Sequence, residues 1–136
     1  MIISTRGRYA LRFMIDLAET SGESYVSLKT IAQRQGISLK YLERILPVLA
    51  QSGMIEGIQG KGGGYKLTRK PEEYTVGEIL RLTEGDISAV SCIASGECTC
   101  GRESECRTVG VWRGLQNVVD EYLDGITVAD LMCKKA

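Results

Sequence analysis

Apolar residues recur along most of this chain at the three- and four-residue spacing of amphipathic helices. Near the start, Ser4 and Thr5 can cap a helix, and the segment that follows has one apolar face. The residues of this face are Tyr9, Ala10, Phe13, Met14 and Leu17. We therefore predict a first helix that buries one side.

The next two segments predict a pair of short helices joined by a tight turn, which is typical of a helix-turn-helix. Ser27 caps LKTIAQRQG, which ends at Gly36, and Ser38 caps LKYLERILPVLAQSG. The face of the second helix that we expect to point inward consists of Leu39, Leu42, Leu46 and Leu49. Pro47 cannot donate to the Glu43 carbonyl and costs about 3 kcal/mol in a regular helix interior. We therefore expect a kink or a break at Pro47, with residues 38–46 forming the exposed recognition part.

A β-hairpin is predicted after this pair, because MIEGIQGKGGGYKLTR alternates apolar and polar residues on either side of a glycine-rich turn. A helix-turn-helix followed by a hairpin is a winged helix. In that fold the second helix of the pair enters the major groove of DNA, and the hairpin, or wing, lies along the backbone or the minor groove.

Three further helices are predicted in the second half of the chain. Thr75 caps VGEILRLTEG, and Thr127 caps VADLM. Between them, TVGVWRGLQNVVDEYLDG carries an apolar stripe of Val111, Leu115, Val118, Val119 and Tyr122. The predicted fold is mainly α with a small β-hairpin: a winged helix-turn-helix over residues 1–71, and a cysteine-rich loop with a long C-terminal helix over residues 72–136.

Charge divides the chain in the same way. Residues 1–70 hold 11 Lys and Arg with 5 Asp and Glu, a net charge of +6, whereas residues 71–136 hold 6 with 12, a net charge of −6. The basic half suits a polyanion. No segment has the roughly 18 consecutive apolar residues of a membrane span, and arginines interrupt the N-terminal apolar run. We therefore expect a cytoplasmic protein without a signal peptide.

Polar side chains on the outer face of the recognition helix are candidates for reading DNA. They are Ser38, Lys40, Tyr41, Glu43 and Arg44. Lys and Arg can neutralise phosphates or donate to guanine, and Glu can accept from the cytosine amino group. In the wing, glycines let the backbone approach a phosphate, with Lys61, Lys66, Arg69 and Lys70 nearby. The alternative is a solvated helix face and a plain hairpin turn.

Four of the five cysteines lie in CIASGECTCGRESEC, at Cys92, Cys98, Cys100 and Cys106. A disulfide is disfavoured in a reducing cytosol and by the odd cysteine count. Zinc is poorly matched, because the cysteines are separated by five, one and five residues and the chain has no His. The two-residue gaps of bacterial ferredoxins are also absent. Buried inert thiols suit Cys133, beside Leu131 and Met132, better than they suit this loop.

Three motifs, STRGRYALRFMIDLA, ISLKYLERILPVL and GKGGGYKLTR, resemble the Rrf2 family of bacterial winged-helix regulators. The resemblance continues through VGEIL and VWRGLQNVVDEYLDGITVADL. It implies a homodimer joined through the long C-terminal helix, and hence a pseudo-palindromic double-stranded DNA operator. The expected DNA-binding residues are Arg8, Ser38, Lys40, Tyr41, Glu43, Arg44, Gln59, Lys61, Gly62, Gly63 and Tyr65. Gln59 stands where some relatives carry an Arg suited to the minor groove.

The resemblance also implies an iron–sulfur cluster, most often 2Fe–2S, because cluster-binding members of the family carry three cysteines with gaps of about five residues in this loop. Cys92 and Cys106 match the outer positions, and either Cys98 or Cys100 matches the middle one. The fourth ligand departs from the family. Val109 stands where some relatives have His, and Arg8 where others have an acidic residue. The fourth thiol or one of three carboxylates remains: Glu97, Glu103 or Glu105.

Four thiolates can hold either 2Fe–2S or 4Fe–4S, so the cluster type stays open. An all-Cys site carries more negative charge than one with His, and the extra charge lowers its reduction potential. We therefore expect a response to cluster loss or assembly demand rather than to mild one-electron oxidation. Two other functions remain: a cofactor-free member of the family that responds to thiol oxidation or a partner protein, and a small redox protein. A small redox protein would leave the basic half unexplained. The chain also has no nucleophile–base pair, so we do not expect an enzyme.

Overall fold

The computed structural model describes residues 3–20, 24–94, 100–102 and 104–132. Within them, the elements in chain order are α1 (Thr5–Thr20), α2 (Leu28–Gln35), α3 (Leu39–Gln51), β1 (Ile55–Ile58), β2 (Gly64–Leu67), α4 (Val76–Glu84), α5 (Val109–Asp124) and α6 (Val128–Leu131). Short 3₁₀ turns cover Pro71–Glu73 and Ser91–Ile93. The prediction of a mainly helical chain with one hairpin is confirmed.

The first helix buries the predicted face, with Phe13, Met14 and Leu17 completely inaccessible. Its N-terminal N–H groups are satisfied differently from the prediction. Glu84 Oε1 accepts from the backbone N–H of Gly7 at 3.0 Å and also from Ser4, through the backbone N–H at 3.0 Å and the hydroxyl at 2.7 Å. A carboxylate from α4 therefore caps α1, where the positive end of the helix dipole favours negative charge.

The predicted caps of α2 and α3 are confirmed. Ser27 Oγ accepts from Thr30 N at 3.1 Å, and Ser38 Oγ accepts from Tyr41 N at 3.0 Å. Gly36 closes α2 in the left-handed conformation, with φ of +64°. These bonds set the tight turn of the helix-turn-helix.

The structure corrects two expectations for α3. Of the kink or break expected at Pro47, the break is wrong, because the helix continues to Gln51. Pro47 lies on the exposed face, so the backbone hydrogen bond that it removes is on the side of the helix that faces water. The residue expected at the start of the inner face, Leu39, is 40% exposed, because the buried stripe begins one turn later, at Leu42.

The wing is an antiparallel pair that runs from Ile55 opposite Leu67 to Ile58 opposite Gly64. It is fastened to the segment before α2 by two bonds of 2.8 Å between the backbones of Val26 and Tyr65. Gly64 allows this approach, because a Cβ atom there would lie 2.2 Å from the Val26 carbonyl oxygen.

The second half of the chain contributes to the same core as the first. Tyr74, Ile79 and Val128 pack in one buried cluster with Phe13 and Leu42. The Tyr74 hydroxyl donates to the Met54 carbonyl at 2.7 Å, and α4 packs against α1. The predicted helix-turn-helix is therefore in direct contact with the helix that precedes the cysteine loop.

By contrast, α5 buries no residue. Four residues of its predicted apolar stripe are 45–67% exposed: Val111, Leu115, Val118 and Tyr122. Among the described residues, no helix is long and apolar enough to span a membrane.

Candidate nucleic-acid interface and cysteine loop

The exposed side of α3 carries Lys40, Glu43 and Arg44 in solvent, as the helical pattern predicts. Tyr41 is only half-exposed, and its ring packs edge-on against Tyr9 with a centroid separation of 5.4 Å. Tyr41 therefore presents an edge beside the charged side chains while it helps to fix α3 on α1. Ser38 caps the helix, which leaves its hydroxyl engaged with the backbone.

A polar brace that the sequence analysis missed fixes α2 against α1. Asp16 is 5% exposed. Its carboxylate accepts from Arg34 at 2.6 and 3.1 Å and from Gln35 at 2.8 Å. Arg12 donates to the carbonyl of Gln35 at the end of α2. The brace sets the angle of the helix that leads into α3. An acidic residue between Phe13 and Leu17, on the apolar face of the first helix, was the available signal.

The brace shifts the pKa of Asp16. Burial alone would raise the pKa of this carboxyl group, but hydrogen bonds from Arg34 and Gln35, with the charge of Arg34, hold it below its usual range. The same carboxylate raises the pKa of the Arg34 guanidinium. Both groups therefore stay ionised at neutral pH.

In the wing, Gln59, Lys61 and Gly62 are exposed, and Gly63 is partly exposed. Gly62 has φ of +80°, which glycine adopts without strain. Tyr65 differs from these residues, because its ring lies over Gly57 and its backbone pairs with Val26. The tip of the wing is thus free for contact with a polyanion, and its base is committed to the fold.

Two of the cations expected around the wing are paired with carboxylates. Lys66 lies 3.2 Å from Glu56, and Arg69 lies 3.0 Å from Glu78 and over the ring of Tyr74. Arg8 is exposed on α1 and donates to Thr5 Oγ1 at 3.1 Å. The structure therefore leaves Lys61, on the wing, more available than Lys66 or Arg69.

The described part of the cysteine loop holds three thiols. Cys92 is half-buried in the turn Ser91–Ile93, Cys100 is exposed, and Cys106 lies shortly before α5. None of these three forms a disulfide. Cys98, Glu97, Glu103 and Cys133 lie outside the described residues. Over the ranges given above, no three Cys, Asp or Glu side chains converge closely enough to hold a metal ion.

The donor set nevertheless fits a sulfur-ligated cluster in its chemistry. The Cys106 thiol lies 3.4 Å from the Thr108 hydroxyl. Hydrogen bonds from the side chain and backbone of Thr108 lower the pKa of Cys106, which favours the thiolate that binds metal. Glu105 is exposed and lies 3.7 Å from Arg102, so it retains carboxylate oxygens that face solvent.

A helix-turn-helix, a two-stranded wing and cationic side chains exposed on the second helix define a winged-helix DNA-binding protein. The family model for Rrf2, described as an iron-dependent transcriptional regulator, matches residues 3–134. The chain therefore belongs to the Rrf2 family, and it is a DNA-binding transcriptional regulator and not an enzyme, as predicted.

Individual relatives agree with this assignment. The transcriptional regulator IscR of Aliivibrio salmonicida is 37% identical over 132 residues, which are 97% of this chain and 77% of that protein. Among solved structures, CymR of B. subtilis, described as the global cysteine regulator, is 40% identical with a TM-score of 0.77, and the alignment covers 96% of this chain and 95% of that one. IscR of T. potens is 37% identical with a TM-score of 0.73, covering 96% and 85%.

Proposed function

We propose that this regulator binds its operator as a homodimer and that an iron–sulfur cluster in the cysteine loop controls the binding. The observation that carries the proposal is the position of the loop. It joins α4, which packs on the first helix of the DNA-reading half, to α5, whose apolar face has no cover in the monomer. A change in the loop therefore acts on α4, which packs against the winged helix-turn-helix, and on α5, which is suited to join two copies of the chain.

DNA docking uses α3 in the major groove and the wing along the backbone or minor groove. Lys40 and Arg44 donate to phosphates or guanine, and Glu43 accepts from cytosine. The remaining contacts come from Arg8, Ser38, Tyr41, Gln59, Lys61, Gly62 and Gly63, whereas Tyr65, at the base of the wing, positions the tip. In functional terms, residues 1–71 read DNA, and residues 72–136 sense and dimerise.

The cluster is held by Cys92 and Cys106 with Cys98, Cys100 or both. The family's description as iron-dependent and the similarity to IscR support this proposal. We favour 2Fe–2S, with 4Fe–4S as an outcome of the test below. The cluster would link Cys92, which follows α4, to Cys106, which precedes α5, and would so fix the two ends of the loop relative to each other. This link would shift the population of dimer geometries.

Oxygen-free purification tests the proposal. We expect a coloured protein with iron and acid-labile sulfide in stoichiometric amounts, whose ratio separates 2Fe–2S from 4Fe–4S. Cys92→Ala and Cys106→Ala should each abolish the visible absorption and leave a folded dimer, whereas Cys133→Ala, outside the loop, serves as the control. Operator affinity should differ between the loaded and metal-free forms and should fall steeply with salt. A protein that stays metal-free after reconstitution would refute cluster control.

A second candidate is a cofactor-free regulator that responds to thiol oxidation. The lowered pKa of Cys106 and the exposure of Cys100 favour it, because thiolates are the oxidisable form. The similarity to Staphylococcus aureus CymR, which is 33% identical and has a solved structure described as its oxidised form, also supports it. In that case, the metal-free wild type would lose operator affinity on mild peroxide treatment and regain it with a thiol reductant, and Cys106→Ala would not respond.

A further inference from the structure

A side-chain amide on α5 connects the cysteine loop to an ion-pair cluster between α4 and α5. Gln116 Oε1 accepts from the backbone N–H of Ala89 at 2.7 Å, three residues before Cys92. Its other end, Nε2, donates to Asp120 Oδ1 at 3.0 Å, one turn along the helix. One side chain therefore holds the entrance to the cysteine-bearing turn and a carboxylate at the same time.

Asp120 belongs to a clamp that joins α4 to α5. Arg81 on α4 donates to Asp120 Oδ1 at 3.0 Å and to the two oxygens of Asp124 at 2.7 and 3.1 Å. The close approach depends on Gly77, because a Cβ atom there would lie 2.0 Å from Asp124 Oδ1. The carboxylates raise the pKa of Arg81, with the Asp124 hydrogen bond as the largest cause, so the guanidinium stays charged.

The same α4 reaches the DNA-reading half through its last residue. Glu84, one turn after Arg81, caps the N-terminus of α1 through Ser4 and Gly7. Polar contacts thus lead from the backbone of Ala89 through Gln116 and Asp120 to Arg81. The last turn of α4 then connects Arg81 to Glu84, which contacts the first helix of the winged domain.

We propose that Gln116 is a positioning residue: it fixes the turn that carries Cys92 and transmits the state of the cysteine loop to the Arg81 clamp. The inference rests on the proposed function, because it names the residue through which the loop acts on DNA binding. Gln suits both bonds, since its amide accepts from Ala89 and donates to Asp120. Glu accepts equally well but cannot donate, and it places a second carboxylate beside Asp120.

Three variants separate these roles. Gln116→Ala removes both bonds, Gln116→Glu keeps only the acceptor for Ala89, and Asn117→Ala is the matched control, an exposed amide at the next helix position. The first readout is hydrogen exchange of the Ala89 amide in the metal-free dimer. We expect exchange about fivefold faster in Gln116→Ala, the effect of losing one hydrogen bond, and wild-type exchange in Gln116→Glu and Asn117→Ala. The Cys106 amide, which donates to the Arg102 carbonyl at 2.8 Å, should be unchanged throughout.

The second readout is the ratio of operator affinities with and without the reconstituted cluster. We expect this ratio to approach one in both Gln116 variants, with iron content and thermal midpoint retained, and to stay at the wild-type value in Asn117→Ala. Unchanged Ala89 exchange in Gln116→Ala, or an unchanged affinity ratio in both Gln116 variants, would overturn the inference. If the wild type binds no iron, the proposed function fails, and the exchange measurement alone then decides whether Gln116 positions the turn.

Discussion

Leu39 is the first residue of the recognition helix, and its apolar side chain is 40% exposed next to Lys40. Helical periodicity alone assigned it to the inner face, but the first buried position of α3 is Leu42. N-terminal residues of a recognition helix contact base edges in the major groove, where thymine presents a methyl group. An exposed leucine at this place is therefore suited to a thymine and not to a phosphate.

We expect Leu39 to read a thymine methyl group. In an operator selected from random duplexes with this protein, replacing one thymine at a time by uracil should weaken wild-type binding about fourfold per methyl group at one symmetric position. Leu39→Ala should bind the intact operator more weakly and should not respond to uracil at that position. Gln51→Ala, at the far end of the helix, should keep the wild-type response. Equal responses to uracil in wild type and Leu39→Ala would show that Leu39 reads no methyl group.

Among the helices, the packing of α2 against α1 depends on the buried brace of Asp16, Arg34 and Gln35. The folded protein holds the pKa of Asp16 below its usual range, so the brace contributes stability above the ordinary carboxyl pKa of about 3.9. That contribution falls as the pH drops from the ordinary value towards the lower folded value, because the unfolded chain then binds the proton more readily.

Asp16→Asn should lower the free energy of unfolding by about 2 kcal/mol at neutral pH, since it weakens charged hydrogen bonds at a buried position. Its stability should also depend less on pH than that of the wild type below about pH 4. Urea unfolding at several pH values measures both effects, with the exposed carboxylate of Glu72 replaced by Gln as the control. If the wild type and Asp16→Asn lost stability in parallel on acidification, titration of Asp16 would not account for the pH dependence of the wild type.

At the scale of the whole molecule, the main feature is the solvent-exposed apolar stripe of α5. Val111, Leu115, Val118 and Tyr122 form an apolar face on a helix that buries no residue in the monomer. A second copy, related by a two-fold axis, would bury the same face twice. In such a dimer, the basic halves, with a net charge of +6 each, would face DNA, and the acidic halves, with −6 each, would lie away from it.

Leu115→Asp with Val118→Asp should produce a monomer, because burying unpaired carboxylates in an apolar interface costs several kcal/mol. We expect a dimer dissociation constant at least about 100-fold higher by analytical ultracentrifugation, with an unchanged helical circular dichroism spectrum. Asn117→Asp and Glu121→Gln, at exposed polar positions of the same helix, should leave the dimer intact. A double variant that remained dimeric would place the interface elsewhere.

The amino-acid sequence determined the elements and the charged part of the surface that α3 presents. Periodicity and capping residues depend on neighbours within a few positions, so Ser27, Ser38 and Gly36 predicted the helix-turn-helix correctly. The glycine-rich turn predicted the wing. The same local rules identified Lys40, Glu43 and Arg44 as exposed, although their DNA contacts remain a prediction. Family membership followed from the motifs, and it is confirmed.

Only the tertiary structure decided which side chains meet across the chain. Glu84 caps a helix 77 residues away, and Arg81 reaches Asp124 across 43 positions. Neither pairing produces a periodic pattern in the sequence, because the partners become neighbours only when α1, α4 and α5 pack. The same reason explains why Lys66 and Arg69, counted as cations for DNA, are paired with carboxylates. Spacing along the chain governs local hydrogen bonds, whereas contacts between distant segments are set by how the core closes.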